Sequence, residues 1–330
     1  PEARAGLLFV APAVLSLLLF LIGPILMAAW VSLLDWNAQS SPFTGDYEFV
    51  GADNYRDLLA TPGLLRRDFM LSLRNTLYFV LCSVTGITVL SFVLALAVNS
   101  RMIRGRSFFR LAFYFPSITS SVAIGMIFLF LFANSGVVNQ VLGWFGIDGP
   151  RWFNDPSGVL HLMSGRFGVD QPPGWLDGPQ LGGLSLWQWL AGPSVAMSAL
   201  ILLSIWTSSG LFMLFYLVAL QDIPVELEEA AAIDGAGGWQ RFRFLTLPLM
   251  RRMVVLVITL ALISSWQVFD QVFLLSQGSP VKTTLTPAYV SYVRSFGDGQ
   301  FGIGAAVAFV LAAIVILLTV IQRWLGRERA

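Results

Sequence analysis

The chain is nearly without the residues that most active-site chemistry requires. Among 330 residues there is one cysteine, Cys82, one histidine, His161, and one lysine, Lys282. A single cysteine closes no intrachain disulfide and builds no thiolate metal cluster. With only one histidine beside it, a Cys/His zinc site and a relay of several histidines are excluded. Lys282 lies in Gly278-Ser279-Pro280-Val281-Lys282, and no G-x-x-x-x-G-K-[ST] phosphate loop occurs. If ATP drives this chain, another chain hydrolyses it. Charge is scarce as well, at 12% of residues against about 25% in an ordinary soluble domain. The net charge of +1 implies no nucleic-acid partner, because the arginines stand at the ends of hydrophobic runs.

What is there instead is apolar length. Hydrophobic residues make up 56% of the chain, in runs long enough to cross a hydrocarbon core of roughly 30 Å. Six stretches stand out, at about 7–34, 76–98, 109–132, 195–220, 253–275 and 303–324. Backbone amides in lipid must be satisfied within the segment, so each is predicted to be a helix. The expected fold is all-α: one polytopic membrane domain with six transmembrane helices. The first stretch contains Pro12, Gly23 and Pro24 and lacks a small-x-small cleavage site, so it reads as a retained span and not as a signal peptide.

Arginine placement sets the expected orientation. Arg4, Arg101, Arg104, Arg106, Arg110, Arg241, Arg243, Arg251, Arg252, Arg323, Arg327 and Arg329 fall on one side, 12 of the 20 basic residues, in the shorter connections. Both termini are therefore expected in the cytoplasm, with long outer loops at 35–75 and 133–194. The first of these includes a short helix at Asp53-Asn54-Tyr55-Arg56-Asp57-Leu58-Leu59, stopped by Pro62-Gly63. The second is rich in Gly, Pro and Trp, including Pro172-Pro173-Gly174-Trp175 and Trp187-Gln188-Trp189. The tryptophans at 144, 152, 175, 187, 189 and 206 argue against disorder. An aromatic belt resting on membrane lipid and a protein-docking surface both fit them.

The connection at 221–250 differs from everything around it. Pro224 suits a helix start, and Glu226, Glu228 and Glu229 complement a helix N-terminus. Ala230, Ala231 and Ala232 keep one face slim, and Gly235, Gly237 and Gly238 break the helix before a second amphipathic stretch reaches Pro248. A compact helix–turn–helix with a flat alanine surface is expected.

Here the chain resembles the permease subunits of binding-protein-dependent bacterial ABC importers. These carry a cytoplasmic loop of pattern E-A-A-x3-G-x9-I-x-L-P. The chain reads Glu229-Ala230-Ala231, then Gly235, then Leu245-x-Leu247-Pro248, with leucine for isoleucine as the one departure. Phe49-Val50-Gly51-Ala52-Asp53-Asn54-Tyr55, Arg74-Asn75-Thr76-Leu77, Phe269-Asp270-Gln271-Val272-Phe273 and Gly278-Ser279-Pro280 resemble the carbohydrate-uptake, maltose-type first-subunit branch. The region from about 145 to 193 is longer than that branch leads one to expect. The resemblance implies a type I importer core, paired with a second permease subunit as a heterodimer. It also implies two ATP-binding subunits holding ATP and Mg, an extracytoplasmic solute-binding protein and a sugar-like solute. No cofactor is implied on this chain, and no enzymatic activity. By position, Glu229, Ala230, Ala231, Asp234, Gly235 and Pro248 would couple to the ATPase.

Polar residues inside spans suggest the solute path. The fourth span offers Ser204, Trp206, Thr207, Ser208 and Ser209. The fifth offers Ser264, Ser265, Trp266, Gln267, Asp270 and Gln271. Spacings of 3 and 4 put Trp266 and Asp270 on one helical stripe with Gln267 beside it. An aromatic face with an amide and a carboxylate suits a sugar. Serine and threonine can equally bond their own backbone or join helices, and Asp270 can lie solvated at the outer interface. An ion-coupled secondary transporter is the main rival, but it would need a relay and a repeat that are not evident. A membrane-embedded enzyme would need a nucleophile–base pair or metal cluster, and neither can be assembled.

Overall fold

The computed structural model describes residues 2–39, 41–44, 47–100, 105–165, 176, 178 and 180–327. Arg101, Arg104, Arg329 and the Pro172-Pro173-Gly174-Trp175 run lie outside the described residues. The described residues are mainly helical, with two short antiparallel strand pairs, β1 (Leu34–Asp35) with β2 (Glu48–Phe49), and β3 (Gln180–Leu181) with β4 (Leu184–Ser185). Four helices are long and apolar enough to cross a membrane, and two bent helix pairs bring the number to six if each pair is one span.

The first apolar stretch runs through α1 (Glu2–Leu17), a π-helical turn (Leu18–Ile22) and α2 (Gly23–Val31). Its apolar side chains are exposed along most of its length. Its far end is held firmly. Asn54, on α3 (Asp53–Leu59), donates from Nδ2 to Ser32 O at 2.9 Å and Leu34 O at 3.0 Å, and Ser32 Oγ lies 2.7 Å from the Tyr55 hydroxyl. The Asn54-Tyr55 motif is thus a clasp on the chain leaving the first span.

The centre of the molecule is α4 (Leu64–Asn99), a 36-residue helix. The helix that carries the expected span at 76–98 starts twelve residues before it, because Leu64 to Asn75, expected in the outer loop, continue the same helix. The rise of 1.5 Å per residue makes it about 54 Å long, so it projects beyond a bilayer. Its polar first turns hid this from hydropathy. Buried residues of α4 pack against α10 (Val195–Gln221) and α14 (Arg251–Trp266) through Ile87, Ala95, Met213, Tyr216, Val257 and Ala261. Val80 meets Trp266 and, on α16 (Phe301–Arg327), Leu311 and Val315.

The third stretch, expected as one span at 109–132, is two helices. They are α5 (Arg106–Ile118) and α6 (Ser121–Leu131), and they meet at 99°. Pro116 lies inside α5, and Thr119 and Ser120 take extended conformations that end one helix and start the other. α5 crosses α10 at close range. A Cβ on Gly210 would collide with the Phe113 carbonyl oxygen, while Ser117 Oγ donates to Thr207 O at 2.5 Å and accepts from Leu211 N at 3.2 Å. Gly210→Val is expected to force the two helices apart, at about 1–3 kcal/mol for overpacking. A lowered melting temperature of the purified protein would show it; an unchanged one would mean the crossing is not tight.

The fifth stretch also departs from expectation. α14 stops at Trp266, Val268 and Phe269 are non-helical, and the chain turns helical again only from Asp270, through a π-helical turn at Val272–Ser276. The long connection 133–194, expected on the outer side, contains α7 (Val137–Trp144), α8 (Val159–Gly165) and α9 (Leu186–Trp189). Its two arms are zipped together, with Val159 N donating to Pro193 O and Val195 N to Ser157 O. Asn75 ties the loop after the fifth stretch to α4, donating to Lys282 O at 2.9 Å and Leu285 O at 3.1 Å.

Candidate functional site: a polar cavity and an exposed alanine helix

Two adjoining cavities lie where α5, α6, α10 and the 264–275 segment converge. One, of about 300 Å³, is lined by Ser117, Thr119, Ser121, Thr207, Ser208 and Ser264, with Asp270 and Gln271. The other, of about 230 Å³, shares Ser208, Ser264, Asp270 and Gln271 and adds Phe79, Ser204, Ser265, Gln267 and Phe269. The two share walls, and in the first the polar groups are set among Ile124, Leu203, Leu211, Phe212, Leu274 and Leu275.

The hydroxyls divide into two kinds. Thr207 Oγ1 donates to Leu203 O at 2.9 Å, Ser264 Oγ to Ala261 O at 3.1 Å, and Ser209 Oγ to Ile205 O. These are spent on their own helices. Ser265 Oγ and Gln271 Oε1 are buried with no partner. An unmade buried hydrogen bond costs about 1–3 kcal/mol, and a polar ligand would supply the missing partners. Ser121 Oγ, in the first turn of α6, donates to Asp270 Oδ2 at 3.4 Å. The carboxylate thus faces the positive end of a helix.

Of the residues expected on the solute path, Thr207, Ser208, Ser265, Gln267 and Asp270 come together at these cavities. Trp266 does not. The break after it abolishes the shared stripe with Asp270, and its ring is buried against Val80, Leu311 and Val315 on the other side of α14. Trp206 faces Phe128 of α6, ring centroids 5.6 Å apart, and is not in the cavity lining. The aromatic residues lining the second cavity are Phe269, half-buried, and Phe79, which is fully buried in the core behind it. The reading by periodicity missed these two and also Ser117, Thr119 and Ser121. A signal for the latter existed: Pro116-Ser117-Ile118-Thr119-Ser120-Ser121 is a polar interruption in an apolar stretch.

On the opposite face, the 221–250 connection forms α11 (Val225–Ile233), α12 (Gly238–Arg241), a π-helical turn (Phe242–Thr246) and α13 (Leu247–Leu249). No residue of α11 is buried. Ala236 N donates to Ala231 O at 2.9 Å and Gly235 N to Ala232 O at 3.1 Å. That closes the helix with Gly235 at φ +76°, the left-handed terminus that glycine adopts without penalty. Glu229 is exposed and forms no ion pair among the described residues. Ala231, Asp234 and Gly235 line a groove of about 500 Å³ with Arg241, Phe244 and Leu245. Pro248 sits in α13, ahead of a 63° bend into α14. Ile233, Trp239 and Phe244 are all more than two-thirds exposed, an apolar patch of the sort that marks protein contacts.

The loop is bracketed by the two helices that line the cavity. α10 carries Thr207 and Ser208 and ends at Gln221, while α14 runs from Arg251 back to Ser264 and Ser265. Thirteen residues separate Ser208 from Gln221, about 20 Å of continuous helix.

This arrangement defines a class. Residues 87–330 match the family described as the binding-protein-dependent transport system inner membrane component, and the chain belongs to that family. It is 30% identical over 327 residues to the lactose transport system permease protein LacF of Rhizobium radiobacter, covering 98% of this chain and 94% of that one. It is 28% identical to the probable starch degradation products transport system permease protein AmyD of Thermoanaerobacterium thermosulfurigenes, covering 98% and 94%. The trehalose/maltose transport system permease protein MalF of Thermococcus litoralis is 26% identical, at 99% and 95% coverage. A bacterial ABC transporter involved in import of the acidic polysaccharide alginate shares the fold, with a TM-score of 0.73 at 21% identity over 99% of this chain and 96% of that one. These relatives are transport permeases, and nothing in the likenesses supports an ion-coupled carrier.

Proposed function

We propose that the chain is one half of a heterodimeric permease in an ATP-driven importer for a sugar or similar small neutral solute. The observation that carries this reading is the bracketing of the exposed alanine helix by the two helices that wall the polar cavity. A shift of α11 is transmitted along α10 and α14 to the groups that face the solute. ATP and Mg belong to two separate ATPase subunits, whose clefts receive α11, with Glu229 meeting a basic residue and Ala230 and Ala231 permitting close approach. Asp234, Gly235 and Pro248 hold the shape of the lever. An extracytoplasmic binding protein delivers the solute to the long-loop face. ATP-driven closure need only favour one of two permease states by a few kcal/mol.

Neutral solute chemistry follows from the cavity. Its walls offer hydroxyls, amides, one carboxylate and the half-buried Phe269, and no lysine or arginine. Aromatic faces cover sugar C–H surfaces, and Ser265 and Gln271 have hydrogen-bonding capacity to give to hydroxyls. Trp266 and Trp206 act as packing groups beside this path.

The test is reconstitution. Co-expressed with its second permease and ATPase, the chain should co-purify as a complex that takes up sugar into liposomes only with ATP inside and loaded binding protein outside. Uptake driven by an ion gradient without ATP would overturn the reading. Topology is checked separately. Reporter fusions at Gly237 and Arg327 should report cytoplasm, and those at Thr44, Gly165 and Gly297 the outside; a reversal at any of them breaks the both-ends-in arrangement.

A further inference from the structure

The long-loop face holds a second cavity, of about 480 Å³, between α4 and the zipped arms of the 133–194 loop. Its walls include Arg74, Ser157, His161, Trp187, Gln188 and Thr283, with no aspartate or glutamate. Arg74 is half-buried. Its Nη1 donates to Gln188 O at 3.1 Å and its Nη2 to Asn75 Oδ1 at 2.8 Å, both neutral acceptors, while Nε is buried with no partner. No carboxylate among the described residues pairs with it. Its neighbours on the same face are matched differently: Lys282 and Arg294 share Asp68, at 2.7 and 3.6 Å. A guanidinium partly withdrawn from water without a counter-charge is costly. Its planar fork fits a carboxylate through two parallel hydrogen bonds.

The opposite wall is rigid. The His161 ring stacks on Trp187 at 4.1 Å and 15°, and His161 Nε2 lies 3.2 Å from Trp187 O. Burial, assisted by the nearby Arg74 and opposed by the Trp187 carbonyl, holds the His161 pKa below its ordinary value. At neutral pH the imidazole is therefore uncharged, and Arg74 is the cation of the cavity. Leu160, Leu162, Met163 and Leu190 beside it are each about half exposed. An apolar rim around a desolvated charge is the anatomy of a protein–protein contact, where occlusion of water strengthens the central pair.

We propose that this cavity is a socket for an aspartate or glutamate side chain of the solute-binding protein, seated on Arg74 between the His161–Trp187 stack and Thr283. This rests on the importer reading above. It gives the extended 133–194 loop a job: the loop builds the socket wall.

The experiment uses the assembled complex in nanodiscs and titrates loaded binding protein against ATPase rate. Arg74→Gln should raise the binding-protein concentration for half-maximal stimulation about tenfold or more, and weaken its dependence on salt. Because Arg74 also supports Gln188 and Asn75, His161→Glu is the second variant. It removes neither partner of those bonds, supplies the carboxylate from within the cavity, and should raise the half-maximal concentration comparably. Shifts below about twofold in both variants, with stimulation otherwise intact, would overturn the socket and leave the importer reading standing. Competition by free glucuronate in wild type would also overturn it, assigning the cavity to a small acid. A wild-type complex that no binding protein stimulates would sink both readings together.

Discussion

Glu229→Lys is expected to abolish uptake and release the ATPase while the permease still inserts and folds. Glu229 is exposed and forms no ion pair among the described residues, and α11 has no buried residue, so the substitution breaks no described internal contact. Whatever it damages lies on a partner. Opposing charges across a desolvated contact are worth roughly 2–5 kcal/mol when one is lost, which corresponds to about 30-fold or more in affinity. Reversal adds repulsion to that loss. The measurement is retention of the ATPase on affinity-purified permease, beside uptake in liposomes. Gly235→Val tests the same element by another route. A Cβ at Gly235 would meet nothing within 4 Å, so its cost is purely that of a β-branched residue at φ +76°, about 1–2 kcal/mol. Partial uncoupling is expected there, milder than for Glu229→Lys, and Gly235→Asn should restore part of it because asparagine tolerates that conformation. Normal transport by both Glu229→Lys and Gly235→Val would mean that α11 does not couple.

The cavity makes the second large prediction. Gln271→Leu and Ser265→Ala remove Gln271 Oε1 and Ser265 Oγ, which have no partner among the described residues, so the empty permease should be no less stable without them. Solute transport should suffer, because a hydrogen bond to the sugar is lost. A lost partner costs about 1–3 kcal/mol, or about 5- to 150-fold in solute affinity. Asp270→Asn keeps the shape and one acceptor for Ser121 while removing charge, and should fall at the low end. Trp266→Ala should behave in the opposite way. Its ring fills a packed cluster with Val80, Leu311 and Val315, so thermal stability should fall while preference among sugars is unchanged. Uptake and melting temperature are measured together, with binding protein saturating. If Gln271→Leu, Ser265→Ala and Asp270→Asn all match wild type across several sugars, the cavity is not on the solute path.

These two sites were legible in the sequence to different degrees. The alanine helix depends on local chemistry: acidic residues at a helix start, alanines on one face, a glycine at the stop. Each acts within a few residues, and the expected helix, its terminus at Asp234 and Gly235, and its exposure all appear where the sequence pointed. The cavity depends on four segments far apart in the chain. Thr207, Ser208, Ser265, Gln267 and Asp270 were identified from the cost of polar groups in lipid. Their arrangement was read from one unbroken helix, and the break at Val268 and Phe269 cancels that reading.

By itself the sequence determined that the chain crosses a membrane several times as helices, because apolar length and unsatisfied amides admit no other solution at this composition. It also determined the compact loop that its glycines and prolines punctuate. Tertiary structure alone decided where helices bend, that α4 continues back to Leu64, and which side of α14 each residue occupies. The reason is physical. Hydropathy registers transfer into lipid, which is nearly the same for a side chain facing acyl chains, a neighbouring helix or an internal cavity. Trp266 and Ser265 adjoin in sequence and satisfy that requirement equally. Only the packing of α4 and α16 on one side of α14, and of α6 and α10 about the cavity on the other, sends the ring into the core and leaves the hydroxyl buried beside the cavity without a partner.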